Sequence, residues 1–282
     1  MLPAAALQES GTILLNEPPH ADADLILEQL RAGSYGKPFV IDDGRTRRLY
    51  FGLAYVQSEM SIGQPYELNF EYTRIMMGFL LFQPRPRHIV IVGLGGGSLT
   101  RFCHRSVPRA RITSIEIDPG VIAFGDIFLL PPADARTELV QADAVDYFQG
   151  TSDRPDVVLL DACDIQGLAP ALCDAAVLGS IHDRLRSRGV LVINLVGSAG
   201  ALREMLAHAA TVFQGRLIVQ NVGEGGTKVA YAFKDSAFVP DWVGLQRLAR
   251  ELEPRHGIDF PALARKLQRS GFAPAARLRP PS

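Results

Sequence analysis

From His88 onward the chain alternates between short apolar runs and stretches with helical spacing. The first run, Ile89–Val92, is uninterrupted and ends in glycines, a pattern typical of a strand buried on both faces. Strands that alternate with helices predict a parallel sheet with right-handed crossovers, and so a doubly wound α/β fold. The other predicted strands are Ile112–Ile117, Glu138–Val140, Val157–Leu160, Val190–Leu195 and Leu217–Val219, and the predicted helices between strands are Ser98–Arg105, Gly120–Phe128, Ala169–Leu185 and Ala199–Phe213.

The residues before this region have a different pattern. They contain brief runs of apolar, β-branched and aromatic residues, with Asp42-Asp43-Gly44 as a turn signal, which predicts a small antiparallel β unit. We expect a β unit over residues 1–65, a nucleoside-binding domain over 66–240, and a helical tail with a frayed end over 241–282. The predicted strands are Thr12–Leu15, Pro38–Ile41, Arg48–Phe51 and Ala54–Gln57, and the predicted helices are Glu71–Phe82, Trp242–Leu252 and Pro261–Ser270.

Composition narrows the classes of protein. Hydrophobic residues make up 47% of the 282, enough to bury a core, and the formal net charge is −1, so no basic surplus favours nucleic acid as a partner. Three cysteines without paired spacing and six unclustered histidines predict neither disulfides nor a metal site. The longest apolar run is shorter than a membrane span, and the first residues lack the basic segment of a secretory signal, so we expect a cytoplasmic protein.

A glycine-rich turn carries the strongest chemical signal. Gly93, Gly95 and Gly97 fall in Gly-Leu-Gly-Gly-Gly-Ser, directly after the first predicted strand and before a predicted helix. Without Cβ atoms such a turn lets a phosphate or a nucleoside approach the backbone, and the helix N-terminus beyond it offers free N–H donors. The pattern also occurs as a plain tight connection in α/β proteins.

Acidic residues follow the next three strands. Glu116, 23 residues after Gly93, is placed to bind ribose hydroxyls, although a nicotinamide dinucleotide would use the same arrangement. Asp143 is placed to accept a hydrogen bond from the amino group of an adenine ring. Asp161 and Asp164 follow the fourth strand, where they would bind a cation or accept a proton from an amine nucleophile. Glu116 has a structural alternative as a helix cap, a role that Asp118 before Pro119 fits better, and Asp161 and Asp164 could be solvated turn residues.

Together these motifs resemble the polyamine aminopropyltransferases, the spermidine and spermine synthases, over roughly residues 36–235. The resemblance implies a Rossmann-like domain of the S-adenosylmethionine-methyltransferase type behind a small N-terminal antiparallel β domain. By resemblance Glu116 binds the ribose and Asp143 the adenine. Asp161 would act as base toward the amine, and Asp164 would hold that amine. Gln57 and the three glycines would contact the nucleoside, and Tyr72 would lie near the reacting nitrogen.

The sequence also departs from that family. The aspartate of the family's glycine motif is Gly96 here, and Arg74 follows Tyr72 where the family has an acid. A cation in a site for polyammonium substrates is unfavourable unless its side chain points outward. Residues 220–226 replace the family's Pro-Thr-Tyr-Pro loop, and we expect Glu224 to restore an anion if that loop folds inward.

The resemblance therefore implies an aminopropyltransferase that uses decarboxylated S-adenosylmethionine as co-substrate and a small amine as acceptor, without a metal or prosthetic group. A homodimer is expected by the same resemblance. Two alternatives stay open at this point. One is a methyltransferase that uses intact S-adenosylmethionine, with Gly96 making room for its carboxylate. The other is a binding protein that keeps the nucleoside pocket and has lost catalysis.

Overall fold

The computed structural model describes residues 1–164, 167–168 and 170–272 of the chain. Its first sheet is antiparallel, with five strands in sequence order. A helix, α1 (Ala23–Ala32), connects the second strand to the third; Asp22 begins it by accepting two backbone N–H groups, and Gly33 ends it in the left-handed conformation. The strands are β1 (Leu2–Pro3), β2 (Thr12–Leu15), β3 (Phe39–Asp42), β4 (Thr46–Tyr50) and β5 (Ser58–Ser61).

The predicted antiparallel unit is thus present, but its last strand was misplaced. The sequence pattern predicted a strand at Ala54–Gln57, whereas β5 begins at Ser58. The intervening residues include a turn and no strand: Tyr55 is 71% exposed, and only Val56 of this run packs against the apolar cluster of the first sheet. Helix α1 was not predicted.

The second sheet has seven strands among the described residues, in the order β13-β14-β12-β9-β6-β7-β8. Its central strands are parallel, while β14 runs antiparallel to both neighbours. The doubly wound sheet is confirmed, and β14 is a strand that the sequence analysis missed. The strands are β6 (His88–Val92), β7 (Arg111–Glu116), β8 (Thr137–Gln141), β9 (Val157–Leu160), β12 (Val190–Leu195), β13 (Leu217–Asn221) and β14 (Lys228–Phe233); β10 (Cys163–Asp164) and β11 (Gly167–Leu168) pair separately.

Helices cover both faces of this sheet. Alternate residues of β6 and β9 point into two separate apolar clusters, which explains why the strands read as continuous apolar runs. The first helices of this region, α2 (Glu71–Met76) and α3 (Phe79–Phe82), replace the single predicted helix. The others are α4 (Ser98–Ser106), α5 (Pro119–Ile122), α6 (Ala144–Gly150), α7 (Ala175–Arg184), α8 (Ala199–Val212), α9 (Trp242–His256) and α10 (Phe260–Ser270).

The C-terminal helices α9 and α10 pack on one face of the sheet. Leu252, Phe260 and Leu267 are buried in the same apolar cluster as residues of α2, α3 and the central strands. The predicted frayed end, residues 273–282, lies outside the described residues. Within the described part of the chain no helix combines the length and apolar character that a membrane crossing requires.

The first sheet packs directly against the start of the second. Leu49 and Met60 from the antiparallel strands share an apolar cluster with Leu94 of the glycine turn and with Phe124 and Phe128, which follow α5. Burying one such side chain stabilises a fold by about 1.5–3 kcal/mol. This contact fixes the antiparallel unit over the turn where a nucleotide is expected to bind.

Candidate active site

The residues singled out by sequence meet at the carboxyl edge of the second sheet. In open α/β sheets ligands bind at this edge. The strands that supply it are neighbours, so their last residues lie side by side. The edge comprises the glycine turn after β6, Glu116 at the end of β7, Asp143 after β8, Asp161 directly after β9, and Asn194 near the end of β12.

The glycine turn has a backbone that side chains rarely adopt. Gly93, Gly95 and Gly97 all have positive φ, at 89°, 51° and 70°. A Cβ on Gly93 would press against the carbonyl oxygen of Asp161, and one on Gly97 would press against Leu130. The turn therefore requires glycine for two reasons, conformation and close packing, and it lies in contact with the end of β9.

Glu116 links this turn to the next connection. Its Oε2 accepts the backbone N–H of Leu94 at 2.9 Å, and its Oε1 accepts that of Asp118, also at 2.9 Å. A carboxylate offers about four acceptor positions, so two remain for ribose hydroxyls. Asp118 caps α5 through Gly120, as the capping alternative predicts.

Asp143 has a structural role that the sequence analysis did not assign to it. It begins α6, and its Oδ1 accepts the backbone N–H of Val145 at 2.7 Å. The residue is exposed, and no other described residue hydrogen-bonds its second carboxylate oxygen. That oxygen is available to accept a hydrogen bond from an adenine amino group. Adenine binding by Asp143 stays a prediction.

Gln57 lies beside the glycine turn because of the strand that follows it. Its backbone N–H donates to Leu49, and its neighbour Ser58 lies against the turn: a Cβ on Gly95 would be 3.5 Å from that of Ser58. The side chain of Gln57 is partly buried. The structure thus brings Gln57 close to the glycine turn, and its contact with a nucleoside stays a prediction.

Asp161 is held by two polar side chains from different elements. Its Oδ2 accepts a hydrogen bond from the Tyr72 hydroxyl of α2 at 3.3 Å, and its Oδ1 accepts one from the Asn194 amide of β12 at 2.8 Å. The two residues predicted to act on the amine, Asp161 and Tyr72, are therefore in contact. Asn194 was missed, although a polar residue inside the apolar run Val190–Leu195 was a visible signal.

Burial gives Asp161 the properties of a base near neutral pH. Removal from water raises the pKa of its carboxyl to about 7, and the hydrogen bonds from Asn194 and Tyr72 oppose that rise. None of the ion pairs among the described residues involves Asp161. A carboxyl that titrates in this range is suited to general base catalysis.

Three other predicted features of the amine side have mixed outcomes. The backbone of Asp164 pairs with Gly167 in a short ladder, and its side chain lies outside the described residues. Arg74 does not point outward: its guanidinium donates to the carbonyls of Leu68 and Asn69, at 2.8 Å for the latter. Glu224 lies at the exposed tip of the β13–β14 hairpin and forms no ion pair with a described residue, so it does not fold inward.

A buried cation lies beneath the glycine turn. Arg101 of α4 is 1% exposed, and it donates to the carbonyls of Pro65 at 2.8 Å, Phe128 at 2.6 Å, and Gly96. It forms no ion pair with any acid among the described residues, and burial lowers its pKa to about 10. No sequence motif assigned a function to Arg101.

Gly96 occupies a filled position. A Cβ there would lie 2.8 Å from Ser58 Oγ and 2.9 Å from the Phe128 ring. The absent side chain thus leaves no open space for a ligand carboxylate at this point. In the part of the chain that the structure describes, no three His, Cys, Asp or Glu side chains form a group able to hold a metal ion.

Comparison by sequence finds the same family twice. Residues 69–214 match the model of the spermine/spermidine synthase domain. A protein named polyamine aminopropyltransferase from Chromobacterium violaceum is 32% identical over 240 residues, which cover 85% of this chain and 92% of that protein.

Solved structures share the fold at lower identity. A probable spermidine synthase from Corynebacterium glutamicum superposes with a TM-score of 0.65 at 19% identity, covering 86% of this chain and 96% of the other. Human methyltransferase-like protein 13, solved in complex with SAH, gives a TM-score of 0.57 at 22% identity, covering 74% and 97%. At these identities the likeness shows the Rossmann-like fold alone.

Proposed function

We propose that this chain, which belongs to the spermine/spermidine synthase family, moves an aminopropyl group from decarboxylated S-adenosylmethionine to a small amine such as putrescine. The observation that carries the proposal is the Asp161 carboxylate, which Tyr72 and Asn194 hold directly after β9, where the backbone carbonyl of Asp161 lies close to Gly93 of the glycine turn. Such a group can take a proton from an amine bound at the edge where a nucleoside would bind.

The reaction needs little besides positioning and one proton transfer. An alkyl ammonium has a pKa of about 10.4, so the amine must give a proton to Asp161 before its lone pair is free. The nitrogen then forms a bond to the methylene carbon beside the sulfonium. The carbon–sulfur bond breaks, its electron pair goes to sulfur, and neutral 5′-methylthioadenosine leaves. Holding the two reactants in line supplies most of the acceleration.

Other residues divide into the two halves of the site. On the nucleoside side we assign the ribose to Glu116, the adenine to Asp143, and further contacts to Gln57 and the glycine turn. On the amine side Tyr72 lies beside the reacting nitrogen, and Asp164 holds the acceptor. Since Asp161 must be ionised to act, and its pKa is about 7, the rate should rise as pH increases through 7.

The test is to measure transfer and binding together. Purified protein is given decarboxylated S-adenosylmethionine with putrescine, and 5′-methylthioadenosine is quantified; calorimetry compares the affinities of the decarboxylated and intact forms. We expect the product to form only with amine present, and the decarboxylated form to bind more tightly. Tight binding without turnover of any amine would instead indicate a binding protein.

One observation favours a methyltransferase as the second candidate. The Arg101 guanidinium binds the Gly96 carbonyl without an acidic partner among the described residues, so the protein beneath the turn is positively charged. A positive charge there favours a co-substrate tail with a carboxylate over one with only an ammonium group. Preference for intact S-adenosylmethionine, with formation of S-adenosylhomocysteine, would replace the proposed reaction.

A further inference from the structure

Asn194 reaches Asp161 because of the register of two neighbouring strands. In the parallel pair β12–β9, Ile193 lies opposite Leu160, so the next residues of the two strands are Asn194 and Asp161. Asn194 is 2% exposed and is the one polar residue in the run Val190–Leu195. A buried polar side chain in an otherwise apolar strand is destabilising unless it is hydrogen-bonded, which points to a role beyond packing.

The hydrogen bond makes the two oxygens of Asp161 different. The Asn194 Nδ2 group that contacts Oδ1 at 2.8 Å carries only donors, so Oδ1 must act as an acceptor. The opposite orientation of the amide would place two acceptor oxygens against each other. Oδ2 faces the Tyr72 hydroxyl, which can donate or accept.

We propose that Asn194 is a positioning residue that keeps Oδ1 unprotonated and so directs the proton taken from the substrate amine to Oδ2, on the Tyr72 side. The proposal rests on the proposed function, because it describes which oxygen of the same base acts. A proton on Oδ1 would point at the amide N–H. With the proton on Oδ2, the Tyr72 hydroxyl turns to accept it, and the nitrogen of the substrate is left neutral.

The surroundings of Asp161 leave Asn194 as its strongest hydrogen-bond partner. Tyr72 approaches from α2 at the longer distance of 3.3 Å, and the glycine turn contributes backbone only. Among the described side chains no charged group pairs with Asp161. Removing the amide donor should therefore stabilise the protonated carboxyl relative to the ionised one.

The experiment follows the titration of Asp161 directly. Protein labelled with ¹³C at aspartate carboxyls is titrated by NMR without substrates, and the Asp161 signal is assigned by its loss in Asp161→Asn. In Asn194→Leu, which keeps the volume but removes the donor, we expect the midpoint to move upward by about one pH unit or more. In Asn194→Asp, where two carboxyls share one proton, it should move further.

Activity gives a second readout. The acid limb of the kcat/KM profile should move upward with the titration, while the rate at high pH recovers and 5′-methylthioadenosine affinity stays within a few-fold. Thr113→Val, which removes a buried hydroxyl from β7 facing His88 at the opposite edge, is the matched control and should leave the Asp161 midpoint unchanged. If one of the two Asn194 variants fails to fold, the other still tests the proposal.

The outcomes separate this inference from the proposed function. An unchanged Asp161 midpoint in a folded Asn194 variant would overturn the positioning role, even if the wild-type protein transfers aminopropyl groups. If the midpoint moves while the wild-type protein transfers nothing, Asn194 does control Asp161, but the proton it directs does not come from an amine, and the proposed reaction fails.

Discussion

Two features of the surroundings of Asp161 shift the pKa of its carboxyl in opposite directions. Its burial favours the neutral form, while the donors from Tyr72 and Asn194 favour the ionised one, and burial is the larger effect. A carboxyl with a pKa raised in the folded state binds a proton that the unfolded chain has already released between pH 4 and 7. The contribution of Asp161 to the free energy of unfolding therefore falls as pH rises through that window, so the proposed base is present at a cost in stability.

Replacing Asp161 by asparagine should separate catalysis from binding and stability. Asp161→Asn is expected to lower kcat/KM by at least about 10²-fold because no base remains. Affinity for 5′-methylthioadenosine, measured by calorimetry, should stay within a few-fold, and thermal unfolding at pH 8 should occur at a higher temperature than in the wild type. A collapse of nucleoside affinity would show that Asp161 binds the nucleoside instead.

Glu116 provides the corresponding test for the nucleoside half. In Glu116→Gln one oxygen becomes an amide donor, which disrupts the pair of backbone hydrogen bonds to Leu94 and Asp118 and weakens acceptance of ribose hydroxyls. Loss of a hydrogen bond to a charged group costs about 1.5–3 kcal/mol, so every adenosyl ligand should bind about 10-fold to 100-fold more weakly. Glu138→Gln, on the exposed strand β8, is the control. Unchanged affinity in Glu116→Gln would remove the ribose assignment.

At the scale of elements, the glycine turn is shaped by the strand that packs on it. The Cβ position of Gly96 faces Ser58 of β5 and the ring of Phe128, so the antiparallel unit fills the place where a side chain would extend. The family motif has an aspartate where this chain has Gly96. In this chain, Ser58 and Phe128 pack into the space that such a side chain would need. The difference is more than the loss of one charge.

Restoring the family's aspartate at this position should damage the protein. In Gly96→Asp, Phe128 must move to admit the new side chain, which is expected to destabilise the fold by about 1–3 kcal/mol, as judged by denaturant unfolding. Gly179→Ala, in a helix where nothing lies within 4 Å of the new Cβ, is the control and should stabilise slightly. If Gly96→Asp keeps wild-type stability and binds decarboxylated S-adenosylmethionine more tightly, the packing argument is wrong.

Strands that are buried on both faces could be predicted from the sequence. Features that depend on how one strand pairs with another could not. The bounds of β9 and β12 agree with prediction because Val157–Leu160 and Val190–Leu195 are apolar throughout. The apolar pattern of β14 carries no information about strand direction, and its reversal depends on the hairpin at residues 222–227. Likewise Glu116 and Asp161 could be found because they stand where predicted strands end. Asn194 could not, because only the register of β12 against β9 brings it to Asp161.

At the scale of the whole molecule, the two edges of the second sheet carry different polar groups. The carboxyl edge holds the candidate site, whereas the amino edge holds a network around His88 at the start of β6. Arg111 donates to His88 Nδ1 at 3.1 Å, and since arginine can only donate, the ring proton must be on Nε2, which contacts Thr113 Oγ1 at 3.1 Å. Asp153 binds the same arginine. This network holds His88 in its neutral form.

That neutral histidine should make the whole fold sensitive to acid. Burial, assisted by the nearby Arg111, lowers the pKa of His88 to about 4, so between pH 6.5 and 4 the unfolded chain binds a proton that the folded chain does not. The contribution of His88 to the free energy of unfolding should therefore fall as pH decreases through this window, by at most about 1.4 kcal/mol per pH unit, and it opposes the contribution of Asp161.

Replacing His88 separates its contribution to the pH dependence of stability from the contributions of the acidic residues. In His88→Gln the group that protonates in the unfolded chain is gone, so we expect a smaller loss of stability between pH 6.5 and 4.5, measured by urea unfolding at several pH values. His20→Gln, at an exposed position, should keep the wild-type slope. Because His88 lies at the edge away from Asp161, nucleoside affinity at pH 7.5 should be unchanged in both variants. An equal slope in His88→Gln and wild type would mean that other groups carry the acid sensitivity.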